Sequence, residues 1–301
     1  MGVQAAYPRI LTDEAGKELT RHGTEAFPLG FYVEDVWKFD FHCVDWHWHP
    51  EVECVYVQEG SVRVFAGSSS FLLDSGTGAF INTQVIHSFR AENSVLMPNF
   101  VFHTDLIAPL NSLIYENYLE PFLHSGIDIL VFRPDTPWGR EALEIIKEIV
   151  ACMEREKPNE LRAVWKIMSL WDVASRQIPL KSEINPEDYG NRSRDQLQLI
   201  MEYIHAHYRE KITLDDLAGT AFLSKSSVIN LFQRYLHTSP IHYLIDYRLK
   251  CAARLLRSTQ KTINAIAEET GFDNTGYFCR KYKEVFEKTP SQYRKEASGK
   301  C

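Results

Sequence analysis

The sequence predicts an α+β chain: a small β-barrel or sandwich with a helical hairpin, followed by an all-α C-terminal domain. Three observations carry this prediction. Apolar and polar residues alternate in the first third, as in EVECVYVQEGSVRVF (residues 51–65), and the apolar period becomes helical after about Trp138. The last third holds one unit twice. Leu217-Ala218, Val228, Phe232, Ser239-Pro240 and Tyr243 recur as Ile266-Ala267, Phe278, Tyr282, Thr289-Pro290 and Tyr293, at offsets of 49 and then 50. Charge also divides the chain. Residues 193–301 carry 17 Lys/Arg against 12 Asp/Glu, and the remainder carries 16 against 28, for a net charge of −7. A basic module on an acidic one suits a nucleic-acid-binding half joined to a regulatory half.

At 301 residues the chain has room for two cores, and its 45% hydrophobic and 24% charged content is that of an ordinary soluble protein. No stretch approaches the roughly 20 apolar residues needed to span a bilayer. The N-terminus shows no basic segment followed by an apolar run, so no membrane partner and a cytoplasmic location are expected. Six cysteines without CxxC spacing read as reduced thiols, and neither a disulfide framework nor a cysteine zinc site is indicated.

Taken in order, residues 30–105 read as strands, with a tight turn at Glu59-Gly60 and further turns at Gly67-Ser68, Asp74-Ser75-Gly76 and Asn93-Ser94. Trp138–Glu156 and Glu160–Gln177 read as a helical hairpin broken at Lys157-Pro158-Asn159. Its two apolar stripes are Leu143, Ile146, Val150 and Val164, Ile167, Met168, Trp171; one suits core packing and the second a dimer interface. The polar stretch 179–192, with two prolines and no period, reads as a linker, and everything after Ser193 reads as helical.

Each copy of the repeat reads as a helix-turn-helix. In the first, Thr213 precedes a helix with carboxylates in its first turn, and Ser224 caps a second helix whose apolar stripe is Val228, Leu231, Phe232 and Tyr235. The opposite face of that helix offers Lys225, Ser226, Ser227, Ile229, Asn230 and Gln233. In the second copy the turn passes through Gly271, Asp273 or Asn274 caps the second helix, and Phe278, Tyr282 and Phe286 face the core. Its outer face carries Asn274, Thr275, Tyr277, Arg280, Lys281 and Lys283.

GFDNTGYFCRKYK (271–283) and the closing TPSQYR (289–294) resemble the C-terminal DNA-binding domain of the AraC/XylS family of transcription regulators, over about residues 195–295. The resemblance implies that a long helix, about Ile241 to Arg257, joins the two units so that both enter successive major grooves. By position Ser226, Ser227, Asn230, Asn274, Thr275 and Arg280 would read bases, since Arg suits guanine and Asn adenine. Lys225, Gln233, Lys281 and Lys283 would meet phosphates. Tyr277 lies on the same DNA-facing surface.

In the N-terminal half, His47, His49 and Glu53 share one parity of an extended segment, and His87 follows later. This is similar to the cupin pattern HxH(x)3E(x)6G plus a later His. The second cupin motif is degenerate, because Gly76 to Asn82 lacks the usual Pro-x-Gly. The resemblance implies a cupin-like sensor barrel that takes a small organic effector with no cofactor required, and the aromatic supply of Phe39, Phe41, Trp46, Trp48, Tyr56 and Phe80 would suit stacking against a sugar ring. A divalent metal on His47, His49, Glu53 and His87 is the lesser alternative. Trp46 and Trp48 join these four as candidate effector contacts. The expected divisions are a sensing barrel at 1–110, a helical dimerisation region at 111–178, a linker at 179–193 and the DNA-binding domain at 194–298. The expected function is a non-enzymatic, homodimeric regulator that binds double-stranded DNA and an effector, and RNA polymerase if it activates. A metal-dependent cupin enzyme fused to a DNA-binding domain, and a constitutive dimeric regulator, are the alternatives.

Overall fold

In the computed structural model, which describes residues 9–178 and 191–297, the alternating segments form two antiparallel sheets. The five-stranded sheet is ordered β1 (Leu29–Glu34), β8 (Met97–Phe102), β3 (Val52–Tyr56), β6 (Gly78–Ile81), β9 (Ile129–Phe132). The four-stranded sheet is ordered β2 (Cys43–His47), β7 (His87–Arg90), β4 (Ser61–Ala66), β5 (Ser69–Asp74). All of β3 is buried, because it faces apolar groups on both sides. Val55 packs between the sheets with Val62, Val64, Ala66, Leu73 and Phe89, whereas Val52, Cys54 and Tyr56 pack under helices.

The turn at Glu59-Gly60 does not close a hairpin. β3 pairs with β6 and β8, and β4 pairs with β5 and β7, so the turn carries the chain from one sheet to the other. Gly60 has φ +83°, and a Cβ there would lie 2.7 Å from the Ser94 carbonyl oxygen, so only glycine fits. The five-stranded sheet also reaches past residue 110. After a π-helical turn (Tyr115–Leu119) and α1 (Glu120–Leu123), β9 adds an edge strand inside the segment expected to be all-helical. Its four residues, ILVF, are too few to distinguish strand from helix by period.

Thr136 caps α2 (Pro137–Met153) by accepting from the Gly139 N–H, and Asn159 caps α3 (Glu160–Ser175) by accepting from Arg162. Leu143, Ile146, Val150, Ile167 and Trp171 all sit in one core with Phe80, Phe102 and Phe132 of the sheet. Both expected stripes therefore serve the same interior. Met168 leaves it: with Leu161 (81% exposed) and Trp165 (59%) it forms an outward apolar row at i, i+4 and i+7 of α3.

A second unit begins at Asp195. It contains α4 (Asn191–His207, which starts just before the boundary), α5 (Leu214–Thr220), α6 (Lys225–Leu236), α7 (Pro240–Ser258), α8 (Ile263–Glu269), α9 (Thr275–Phe286) and α10 (Pro290–Ala297). The stretch expected to be a linker falls largely on residues 179–190, outside those described, and helix is already present at Asn191. The duplication extends to the caps. Thr213 and Thr262, then Ser224 and Asn274, cap corresponding helices, and His237 (φ 51°) and Glu287 (φ 58°) end α6 and α9 in the left-handed region. A non-glycine residue there costs about 1 kcal/mol. Glu287→Gly is accordingly expected to stabilise this unit by about 0.5–1 kcal/mol in urea unfolding; an unchanged midpoint would show that the Glu287 side chain compensates its own backbone.

Candidate functional site

The histidines are brought together across two sheets, not along one strand. β2 ends at His47, which pairs with His87 of β7; the chain then crosses through His49 and re-enters the opposite sheet with Glu53 on β3. His47, His49, Glu53 and His87 are all buried, and one ligand atom from each lies within 4.8 Å of those of the others. The rings are held in one orientation. Nδ1 of His47 lies 2.8 Å from the Asp45 carbonyl, Nδ1 of His87 2.8 Å from that of Val85, and Nδ1 of His49 3.2 Å from that of Glu51. A carbonyl can only accept, so Nδ1 of each ring carries a proton and Nε2 is the nitrogen turned toward the cluster.

This arrangement fits a divalent cation. His87 Nε2 lies 3.0 Å from Glu53 Oε2 and His49 Nε2 lies 3.6 Å from it. His87 Nε2 and Glu53 Oε2 are buried without a hydrogen-bond partner. A proton on Nε2 or a cation between the two atoms would satisfy both. Burial, followed by the neighbouring His87 and His49, pushes His47 down to about 3 and keeps it neutral. For Glu53, burial is outweighed by the imidazoles of His49 and His87, so the carboxyl stays below its ordinary range and is ionised.

Trp46 and Trp48 point elsewhere. The Trp46 ring packs 5.8 Å from Phe65, which Arg90 also covers. Trp48 donates from Nε1 to the Ala15 carbonyl at 3.0 Å and so secures the segment before β1. Asn82, in the degenerate motif, is buried and donates to the carbonyls of Phe122 and Ile127, a purely architectural use.

In the second unit the repeat offset aligns two exposed rows. Ser226, Asn230 and Gln233 of α6 are exposed at i, i+4 and i+7, and Gly276, Arg280 and Lys283 occupy the same places on α9. The first row is neutral, and adjacent Lys225 pairs with Asp215 at 2.8 Å. Ser227 is half-buried against the Ser224 cap, 2.8 Å between hydroxyls. In the second, Arg280 stacks 5.5 Å from the ring of half-buried Tyr277 and stays exposed. Lys281 is held by Glu284 at 2.6 Å. Asn274 accepts from the Tyr277 N–H at 2.8 Å, which commits its oxygen to capping, and Thr275 opens the helix half-buried.

Two family descriptions match the chain: "Helix-turn-helix domain" over residues 217–296 and "AraC-like ligand binding domain" over residues 36–109. The chain belongs to the AraC family of transcriptional regulators. Among its relatives is the uncharacterized HTH-type transcriptional regulator YdeC of Bacillus subtilis, 24% identical over 95% of this chain and 98% of its own length. The HTH-type transcriptional regulator AlkR of Acinetobacter baylyi is 34% identical over 31% of each chain. Among solved structures, an AraC-type regulator from Chromobacterium violaceum is 30% identical, covering 35% of this chain and 95% of its own, with a TM-score of 0.34. No helix among the described residues of this AraC-family regulator is long and apolar enough to cross a membrane.

Several lumen groups of this AraC-family barrel carried no sequence signal. Glu18 and His22 come from irregular chain before β1, and Glu51 lies on the crossing. Tyr32, Glu34 and Asn99 sit on the adjacent strands β1 and β8, where their alternation looks like any strand. The Glu34 carboxylate accepts from Asn99 at 2.9 Å, yet burial first and Glu53 second push its pKa up to about 7. A carboxyl raised above its unfolded value contributes fully below the unfolded pKa, and that contribution is lost as pH rises through about 7. With chelator present, Glu34→Gln is expected to melt above the parent at pH 8, by on the order of 1–3 kcal/mol, and with little difference at pH 5. Equal melting at pH 8 would contradict it.

Proposed function

We propose that this AraC-family chain is a sequence-specific regulator whose DNA occupancy responds to a small polar effector in the barrel lumen. The observation that carries this reading is a buried cluster of imidazoles and carboxylates with Asn99 and half-buried Tyr32 beside it, on a chain whose other half is two helix-turn-helix units. Tyr32, His22, Asn99 and Glu51 suit a hydroxyl-rich molecule such as a sugar, and the concentration of carboxylates disfavours an anionic one. His47, His49, Glu53 and His87 would hold a divalent metal, which would offset that negative charge and offer open positions to effector oxygens. The relatives above are named as transcriptional regulators, which supports sensing over turnover.

On the DNA side, Arg280, with Asn230 and Ser226, reads bases, and Lys283 and Gln233 meet phosphates. The outward row of Leu161, Trp165 and Met168 suits a homodimer contact between α3 helices. RNA polymerase would be a further partner if the bound protein activates. Two readouts on the purified chain test this: selection from a random duplex library, and thermal shift with a panel of sugars with and without Mn2+. A recovered bipartite motif together with a sugar that shifts both melting and DNA occupancy is expected. A motif with no responsive ligand would favour a constitutive regulator, and turnover of a ligand would favour an enzyme.

A further inference from the structure

The barrel's buried ligand-type side chains do not end with the four already described. Glu18 and His22 enter from the segment before β1 and converge on the same lumen. Glu18 Oε2 lies 3.4 Å from His22 Nε2 and 3.8 Å from His47 Nε2, and the His22 and His49 rings are 5.3 Å apart. One ligand atom from each of Glu18, His22 and His49 lies within 4.8 Å of the other two. The three residues are 8%, 7% and 3% exposed. His22 Nε2 makes no hydrogen bond although it is buried, while its Nδ1 is fixed 3.0 Å from the Tyr32 hydroxyl. Two imidazoles and one carboxylate form a donor set suited to divalent first-row metals. The surroundings favour a cation, because the carboxylates of Glu18, Glu34, Glu51 and Glu53 all act on Tyr32 at this point.

We propose that Glu18, His22 and His49 form a second divalent-cation position, at the side of the lumen closed by the N-terminal segment, and that a cation there fastens this segment to the barrel. It rests on the reading of the barrel as a ligand chamber, but not on occupancy of the four-residue position. Without a cation the segment is attached through Trp48, the His22–Tyr32 hydrogen bond and the packing of Ile10 and Phe27 on the cores. Trp48 N donates to the Gly16 carbonyl at 3.0 Å, Trp48 Nε1 donates to that of Ala15 at 3.0 Å, and Glu18 N donates to that of Trp48 at 2.9 Å. The stretch around Glu18, irregular in backbone and exposed at Lys17, Leu19, Thr20 and Arg21, can open locally, and a cation that binds only the closed form suppresses this by mass action. His49 is common to both positions and has a single nitrogen free to coordinate, so a cation at one position competes with a cation at the other.

Lys17 and Arg21 are exposed on either side of Glu18 and provide the readout. Limited trypsin digestion of the full chain, with Co2+ as the probe, follows cleavage after each of them. Co2+ at ten times its Kd is expected to slow this cleavage about tenfold in the parent relative to chelator. Glu18→Gln/His22→Gln should lose that protection while its circular dichroism stays native, and His47→Ala/His87→Ala should keep it. Cleavage of the parent that is insensitive to Co2+ would reduce Glu18 and His22 to an ion pair and overturn the proposal. So would protection that survives in Glu18→Gln/His22→Gln, or protection that His47→Ala/His87→Ala abolishes with its fold intact. Failure of the regulator reading appears separately, as a random-library selection with no motif.

Discussion

Replacing Arg280 by alanine is expected to cost about 1–3 kcal/mol in binding to the cognate duplex, roughly 5- to 150-fold, and to relax preference at one base position. Arg280 is exposed on the outer row of α9, and its guanidinium rests 5.5 Å from the Tyr277 ring, which limits the side-chain freedom lost on docking. The equivalent place on α6 is Asn230, a shorter neutral side chain. The loss is therefore expected to be larger for Arg280→Ala than for Asn230→Ala. Lys283→Ala should instead weaken all sequences alike and lower the salt slope by about 1. Selection with the Arg280 variant, beside titrations at two salt concentrations, checks this. An unchanged motif would remove Arg280 from base reading. Gly276 is a position the sequence reading passed over. It stands where the first unit has Ser226, and a Cβ there would meet only Asn274 Oδ1, at 3.2 Å, so bare backbone is exposed on the same row as Arg280 and Lys283.

Removing the inner ligand set is the second large effect. Parent protein with Co2+ at 100 times its Kd is expected to gain about 2.7 kcal/mol over the chelated protein, seen as a higher melting temperature. His87→Ala should reduce this gain to what a cation held by Glu18, His22 and His49 alone supplies. It removes one of three nitrogens preset for coordination and leaves the ionised Glu53 with one fewer imidazole beside it. A conservative control is His87→Gln, which keeps a polar side chain but no ring nitrogen. Melting of the parent that Co2+ does not change would count against a metal at these four residues.

The strand-rich first half, the hairpin of α2 and α3 and the duplicated helices were legible because each is a local pattern: period two, period 3.6, or a repeated spacing of residue types. Even caps such as Ser224 and Asn274 follow from short-range chemistry. The Glu59-Gly60 turn was read as a link between β-rich runs, but the alternation within it cannot say which strands pair. With β3 buried on both faces, its partners are chosen by the whole core, and β4 goes to the other sheet. The two hairpin stripes read as a core and an interface, whereas Ile167 and Trp171 turned out to share one interior with Leu143 and Ile146. Only the packing of α3 on the sheet shows that Leu161 and Trp165 are left outside.

The sequence by itself determined that two differently built halves exist, that the second is a tandem pair of helix-turn-helix units, and that four potential ligands recur with cupin spacing. Those are statements about residues near each other in the chain, where spacing and geometry are linked by 1.5 Å per helical residue or about 3.3 Å per strand residue. Tertiary structure alone decided the rest of the lumen. Glu34 and Asn99 come beside Glu53 only because β1, β8 and β3 pair in one sheet, Glu53 meets His87 only across the two sheets, and Glu18 and His22 join them from the segment before β1. The same packing removes water, which is why Glu34 holds its proton to about 7 and His47 loses its own at about 3. Desolvation depends on everything that surrounds a group, and no spacing along a chain encodes that sum.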